Sequence, residues 1–304
     1  MNRTMTAAAT LLLITGCSGS DRAPVTELQD KGTAHREEPE NLDVAGLIAT
    51  VNSATGEGWL SVHPENTLAV FSRQIGGFGD QRIFVTERRG DTWTPPVMAP
   101  FAADLNERGA RFAPDGRRVV FASTRPESDS DEVNDWNIWS VDIDDAGHWG
   151  DPEPVSGVNS TANDFHPSVT NEGAIYFGSP RAGGLGRSDM YVGKPGAEGW
   201  TVEPAASLNS ELSEPDPFIA PDGSYMIFAR TGAPGGFGGD DLYVAFSSAH
   251  GWSEPQNLGV AVNTPEYEYG AFVTADGKTL LYTTWASGIP QVAAIALSEL
   301  KLSQ

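Results

Sequence analysis

The sequence predicts an all-β fold in which five repeated units, each of four strands, form a β-propeller. Three features recur along the 304 residues: an acidic tight turn between two apolar runs, an Asn that ends each unit, and a Trp followed by a Pro-containing strand. Four short strands per repeat are typical of a propeller blade. Helical repeats would need a 3.6-residue apolar period, which the units lack.

The acidic turn separates the first two strands of each unit. Apolar residues such as Phe218–Ile219 and Met226–Phe228 flank it. A tight Asp-Gly turn between β-type runs predicts a hairpin whose two central residues have positive φ. The clean copies are Asp115-Gly116, Asp222-Gly223 and Asp276-Gly277, and the degenerate ones are Glu172-Gly173 and Glu65-Asn66.

The Asn and the Trp set the length of the unit and its outer strands. Strand C is short and apolar, as in Leu242–Val244, and strand D follows the Trp turn, where Pro suits an edge strand. The Asn residues are Asn52, Asn106, Asn159, Asn209 and Asn263, at intervals of 54, 53, 50 and 54 residues. The Trp residues are Trp93, Trp149, Trp200 and Trp252.

The two ends of the repeat array predict how the ring closes. The fifth unit ends after strand C, whereas residues 41–52 have the pattern of a strand D with no blade before them. We therefore expect this N-terminal segment to complete the last blade, which leaves no open sheet edge. The predicted propeller domain spans residues 41–304.

The repeats resemble the TolB-type, WD-repeat-like propellers of bacterial envelope proteins. The resemblance lies in Asn209-Ser210, Glu214, Pro221–Gly223, Gly235–Gly238, Asp241–Tyr243 and Trp252–Pro255. It implies the fold but no activity. TolB-type propellers usually have six blades and only five units are visible here, so a six-bladed ring stays the alternative.

The N-terminus predicts export and a lipid anchor. Arg3 precedes an apolar run at Ala7–Ile14, which is too short to span a bilayer and suits a cleaved signal peptide over residues 1–16. Ile14–Cys17 resembles a bacterial lipobox, which implies cleavage before Cys17 and lipidation of its thiol. Ser18 rather than Asp follows, which by the same resemblance favours the outer membrane. Residues 17–40 are polar and without periodicity, and we interpret them as a flexible tether.

Charge and cysteine content restrict the partners. The formal net charge of −22 repels nucleic acid, and one cysteine excludes an intrachain disulfide and a multi-cysteine metal site. We expect a monomer that meets the membrane through its lipid and binds an envelope protein, a peptide or a glycan, with no cofactor.

A repeated carboxylate marks the candidate ligand site. It lies eight residues before each turn, on the innermost strand, so the five acids are expected to ring one mouth of the channel: Glu57, Glu107, Asp164, Glu214 and Glu268. Arginines follow strand B in four units, and a Trp replaces them in the fifth: Arg73, Arg125, Arg181, Arg230 and Trp285. Such a ring needs cations, protons or donors. Either the acids pair with the arginines and hold the blades, or the mouth binds a ligand or cation.

The loops after strand B offer weaker signals. Three are Gly-rich, at residues 76–79, 183–186 and 235–238, but a P-loop needs a following helix and a Lys, so we interpret them as tight loops. Residues 127–135 replace this loop in unit two with alternating oxygen ligands that could hold Ca²⁺, but the spacing lacks the central Gly and terminal Glu of an EF-hand, so a solvated loop is favoured.

Two function classes fit these features. The five histidines lie beside no nucleophile motif, and neither G-x-S-x-G nor H-E-x-x-H occurs, so no catalytic residue is predicted. The favoured hypothesis is a non-catalytic binding or scaffold module. The alternative is a five-bladed glycan hydrolase, which needs two carboxylates in different environments; Asp164 and Glu268 are its candidates.

Overall fold

The computed structural model describes residues 42–76, 79–128, 135–144 and 146–300, which form five small antiparallel sheets in a ring. The innermost strand of each sheet contacts the innermost strand of the next, and the fifth contacts the first. The five-bladed propeller predicted from the repeats is confirmed. The predicted signal peptide, Cys17 and the tether lie outside the described residues. In the part that the structure describes, no helix is long and apolar enough to cross a membrane.

Each sheet is a meander that runs outward from the axis in chain order. The first and second sheets contain β1 (Glu57–Val62), β2 (Leu68–Gln74), β3 (Gln81–Arg89), β4 (Thr92–Trp93), β5 (Val97–Met98), β6 (Glu107–Phe112), β7 (Arg118–Ser123), β8 (Asn137–Asp142) and β9 (Glu153–Pro154). The third contains β10 (Phe165–Val169), β11 (Ile175–Ser179), β12 (Asp189–Gly196) and β13 (Gly199–Pro204). Both β4 and β5 pair with β3, so the outermost strand is broken at the Trp turn.

The last two sheets follow the same order. They contain β14 (Phe218–Ile219), β15 (Tyr225–Thr231), β16 (Asp240–Ser248), β17 (Gly251–Trp252), β18 (Gln256–Asn257), β19 (Glu268–Val273), β20 (Thr279–Thr284) and β21 (Gln291–Ala296). A 3₁₀ turn at Leu297–Glu299 follows β21. The fifth sheet has three strands of its own.

The hairpin turns differ from the prediction in one respect. Only the second turn residue has positive φ, as at Gly116 (72°) and Gly223 (72°). The Asp before it stays in the ordinary region because its side chain caps the turn: Asp115 Oδ1 accepts the Arg117 N–H at 2.9 Å. Asp is therefore selected as a side-chain acceptor, not for a left-handed backbone.

The core lies between neighbouring sheets. The strand B aromatics Phe71, Phe121, Phe177 and Phe228 are fully buried. One apolar cluster joins the first and second sheets, and others join the second to the third and the third to the fourth. The largest joins the fourth, fifth and first sheets with the N-terminal segment. The packing of neighbouring blades thus buries apolar surface. This burial stabilises the fold by about 25 cal/mol for each Å² removed from water.

The N-terminal segment reaches the last blade as predicted, but it is a helix. The predicted strand at residues 41–52 is wrong: α1 spans Val44–Val51, with Asp43 as N-cap accepting the Gly46 N–H at 2.9 Å. Leu47 and Val51 are both completely buried. Leu47 and Val51 lie four residues apart on one face of this helix, and α1 packs against β4 and β21.

The repeated Asn closes the ring. Asn52 Nδ2 donates to the Val292 carbonyl at 2.8 Å, and its Oδ1 accepts the Val292 N–H at 2.9 Å. Asn263 makes the same pair of bonds with Leu242 in the fourth blade. Each such Asn pins strand C of the blade before it, and Asn52 does so across 240 residues of sequence.

Candidate functional site

The five repeated acids lie at the start of the innermost strands and are buried. Their relative exposures are 0–1%. In the first four blades each acid pairs with the arginine of its own blade: Glu57 with Arg73 at 2.8 Å, Glu107 with Arg125, Asp164 with Arg181 at 2.6 Å, and Glu214 with Arg230 at 3.1 Å. We call these pairs the acid–arginine locks. They tie the start of strand A to the end of strand B.

Further contacts complete the locks, as the fourth blade shows. Ser210 donates its backbone N–H to Glu214 Oε2 at 3.1 Å, and its hydroxyl donates to Oε1. Arg230 donates to the Leu208 carbonyl at 3.1 Å and lies over the rings of Phe228 and Tyr243, at 5.6 and 5.3 Å. Buried carboxylates require such donors. The lock therefore joins three segments of one blade.

The fifth blade uses hydroxyls where the others use arginine. Glu268 Oε1 accepts from Thr264 at 2.7 Å and from Thr284 at 2.6 Å. Trp285, at the arginine position, donates from its indole nitrogen to the Tyr269 hydroxyl at 3.1 Å. The acids and arginines thus have structural partners within their blades, and their predicted role in ligand binding stays a prediction.

A different set of side chains meets at the axis. Two residues after each acid, strand A has positive φ in all five blades: Trp59 (52°), Gly109 (65°), His166 (56°), Asp216 (58°) and Gly270 (63°). The register between strands A and B shifts there in four of the blades. Non-Gly residues in this region cost about 1–3 kcal/mol each and concentrate at functional sites. This conformation turns the side chains toward the channel.

We call Trp59, Arg108, Arg111, His166, Asp216 and Tyr269 the axial cluster. Trp59 Nε1 donates to Asp216 Oδ1 at 2.8 Å, and His166 Nδ1 lies 2.5 Å from the same oxygen. The Trp59 ring stacks on His166 at 5.0 Å and contacts Tyr269 at 4.8 Å. Residues of the first, third, fourth and fifth blades contact one another here, which is possible only at the axis.

Two arginines of the second blade complete the cluster. Arg108 lies over the rings of Trp136, Trp59 and Phe165, at 4.3, 5.8 and 5.7 Å. Arg111 is 2% exposed and lies 5.8 Å from the Phe218 ring centroid. The centre of a strongly acidic chain is therefore lined by two cations and several rings.

The cluster has its own electrostatics. Burial lowers the pKa of His166, and the attraction of Asp216 opposes this shift. Burial opposes ionisation of Asp216, but His166, Trp59 and Arg108 together hold its pKa below the usual value. Burial raises the pKa of Asp240, with a further contribution from the Asp216 charge. The two aspartates thus differ in protonation behaviour.

The axial cluster has a signal in the sequence, at the position two residues after each repeated acid. The acids are alike in every unit, whereas the position two residues later changes from Trp to Gly, His, Asp and Gly. A repeat position that varies in chemistry while its neighbours stay constant marks a place where the blades stop being equivalent. His166, one of the five histidines of the sequence, occupies this position in the third unit.

The Gly-rich loops enclose carboxylates of their own blades. Asp241 accepts the Phe237 and Gly238 N–H groups at 2.7 and 3.2 Å, and Asp189 is held in the same way in the third blade. A Cβ on Gly236 would lie 2.3 Å from the Asp241 carboxylate. These glycines are therefore required by an internal anion, which agrees with their prediction as tight loops.

The candidate Ca²⁺ loop at residues 127–135 falls largely outside the described residues, so the cation stays a prediction. Within the described ranges, no group of three or more His, Cys, Asp or Glu side chains is arranged to hold a metal ion.

Comparisons with known proteins match the fold and not the sequence. No protein-family model and no curated protein matches the chain. TolB from Acinetobacter baumannii is similar in structure at a TM-score of 0.51, with 13% identity, over 82% of this chain and 54% of that one. A thermostable family-43 glycoside hydrolase has a TM-score of 0.55 and 10% identity, over 84% and 96%. The native arabinanase of Bacillus subtilis has values of 0.50 and 12%, over 80% and 95%.

These similarities concern the fold alone. The chain spans about half the length of TolB. A five-bladed propeller with neighbours in both a TolB protein and glycoside hydrolases is compatible with binding and with hydrolysis.

Proposed function

We propose that the chain is an envelope-anchored lipoprotein whose propeller binds a ligand or partner at the axis and catalyses no reaction. One observation carries this: residues of all five blades contact one another in a channel whose side chains break the repeat, while the repeated polar residues serve the blades themselves. Aromatic rings beside arginines provide area and charge for recognition.

The contacts of the carboxylates support binding over hydrolysis. Each acid at the start of strand A accepts hydrogen bonds within its own blade and is buried. Asp216 is held between Trp59 and His166, which leaves it poorly placed as a nucleophile. A glycosidase needs two carboxyl groups on either side of a scissile bond, about 5–9.5 Å apart.

The binding proposal is tested with the full lipoprotein purified from detergent-solubilised envelope. We compare its co-purifying proteins and glycans with those of Arg108→Gln, which alters the half-buried arginine of the axial cluster. Arg89→Gln, on the outer part of the first blade, is the matched control because its side chain is 72% exposed. A partner retained by the control and lost with Arg108→Gln supports axial binding. Identical partners in all three samples refute it.

The anchor is tested separately, since it depends on the lipobox resemblance. Cells fed labelled palmitate should label the chain, and Cys17→Ala should abolish both the label and sedimentation with the outer membrane. A labelled Cys17→Ala chain, or an unlabelled native chain, would contradict the proposed anchor.

A glycan hydrolase is the second candidate, and the aspartates favour it. Asp216 has a lowered and Asp240 a raised pKa, the division that acid and base roles require. A screen with aryl-glycosides and with plant and bacterial polysaccharides decides. If the protein turns over a substrate, and Asp216→Asn or Glu268→Gln abolishes that turnover without lowering the unfolding midpoint, the hydrolase replaces the binding proposal. If no substrate is turned over, the result supports the binding proposal.

A further inference from the structure

Arg111 is a guanidinium enclosed in the protein without a hydrogen-bond acceptor. Its residue is 2% exposed, and none of its three nitrogens has a partner among the described residues. The ring of Phe218 lies beside it, at 5.8 Å from the guanidinium carbon. An arginine carries five N–H donors in a fixed fork, and burying them unpaired costs several kcal/mol. A bound anion would supply the acceptors that these donors lack.

The charges around Arg111 leave a positive excess. Among the described residues, the carboxylate of Asp216 is the one whose charge opposes the lowering of the pKa of both Arg111 and Arg108. Its Oδ1 is already shared by the Trp59 indole and the His166 imidazole. Burial lowers the pKa of Arg111 to about 10, so the side chain keeps its charge at neutral pH. Two arginines thus share the charge of one aspartate, and one oxygen of that aspartate already contacts Trp59 and His166.

Arg108 extends this positive region toward the outside. The residue is half-buried, and its Nε is buried with no partner in the described part of the chain. Its guanidinium lies 4.3 Å from the ring centroid of Trp136, which is also half-buried. The axial cluster therefore contains a second, less buried arginine that lies against an aromatic ring.

We propose that the axial cluster binds the carboxylate of a small organic acid, with Arg111 as the buried bidentate donor and Arg108 as the second donor nearer the surface. A planar carboxylate matches the guanidinium fork, and its charge neutralises the excess. The rings of Trp59, Phe165 and Trp136 suit the organic part of the ligand. This inference rests on the proposed binding function and names its ligand class.

The experiment uses the full-length protein and three simple probes at matched ionic strength: sodium acetate, sodium phosphate and sodium chloride. Thermal unfolding at pH 7.5 should show a midpoint that rises with the logarithm of the acetate concentration above the dissociation constant, by about 3–6 °C at ten times that constant. Titration calorimetry should give one site. Arg111→Met should abolish the rise, since it keeps the volume and removes the donors. Arg89→Met should retain it.

A second measurement tests the site even if Arg111→Met fails to fold. Titration of the native protein into ¹³C-acetate should broaden the carboxyl resonance, and Arg108→Gln should weaken that binding at least tenfold. An acetate response equal to that of chloride, or one that Arg111→Met retains, would overturn the inference and leave a water-filled axis. A phosphate response stronger than the acetate response would overturn the carboxylate assignment.

The two proposals fail in different ways. If acetate has no effect but the native protein still captures partners that Arg108→Gln loses, the proposed ligand class is refuted and the binding function stands. Turnover of a glycan by the protein refutes the non-catalytic binding function, whether or not acetate binds.

Discussion

Replacement of Arg230 by Met tests whether the acid–arginine lock stabilises its blade. The change leaves Glu214, which is fully buried, without its cation and removes the bond to the Leu208 carbonyl. Breaking a buried ion pair costs about 3–5 kcal/mol. Because Ser210 still donates twice to Glu214 and Arg230 is 16% exposed, we expect about 3 kcal/mol. Urea unfolding followed by Trp fluorescence should show a midpoint lower by roughly 1 M.

A double-mutant cycle separates the lock from general damage. Glu214→Gln removes the charge that Arg230→Met leaves unpaired, so the double variant should recover about 2 kcal/mol of coupling energy. The control is Arg118→Met: Arg118 pairs with Asp142, but their side chains are 53% and 67% exposed, so the cost should stay below about 1 kcal/mol. A single-variant cost equal to this control, or additive costs in the cycle, would refute the argument.

Three further changes test the axis and the closure. The pKa of His166 is lowered below 6.5, so the unfolded chain binds its proton first and stability should fall as pH drops from about 7 to 5; His166→Gln should flatten that decline in thermal melts. Gly109→Ala places a Cβ 3.0 Å from the His166 ring at a φ of 65° and should cost about 2–3 kcal/mol by urea unfolding. Asn52→Ala removes two bonds to Val292 and should cost about 2 kcal/mol, with faster hydrogen exchange in β21.

Each of these has a control in the chain. His148 is exposed, and His148→Gln should leave the pH decline unchanged. Gly223 has a φ of 72° and open space around its Cβ position, so the loss of stability in Gly223→Ala measures backbone strain alone. If Gly109→Ala lost no more stability than Gly223→Ala, the predicted clash with His166 would contribute nothing. Asn263→Ala should speed exchange in β16 instead of β21, and exchange spread evenly over all blades would contradict the local role of each Asn.

The repeats made the fold predictable, because every turn, strand B aromatic and terminal Asn recurs with a structural task. The same regularity hid the axial cluster. Glu57 attracts notice because four other acids match it, whereas Trp59 has no counterpart in the other units. The helix at Val44–Val51 departs from the prediction for another reason: the segment resembles strand D of the other blades in sequence, but Asp43 caps a first helical turn there.

The contacts of Arg111 were beyond sequence reasoning. It stands on strand A among apolar residues, and nothing local distinguishes an arginine that reaches solvent from one that is enclosed. Its environment is set by Phe218 of the fourth blade, 107 positions away, and by Asp216. Only the closed ring brings these groups together.

The bond between Asn52 and Val292 imposes an order on biosynthesis. Among the residues the structure describes, α1 is made first, and it contacts one strand of the first blade, β4, and the last strand to be made, β21. Blades one to four can therefore form before the fifth is complete, with α1 already against β4. The contact of Asn52 with Val292 forms only after β21 has been made, so the ring closes as the last step of folding.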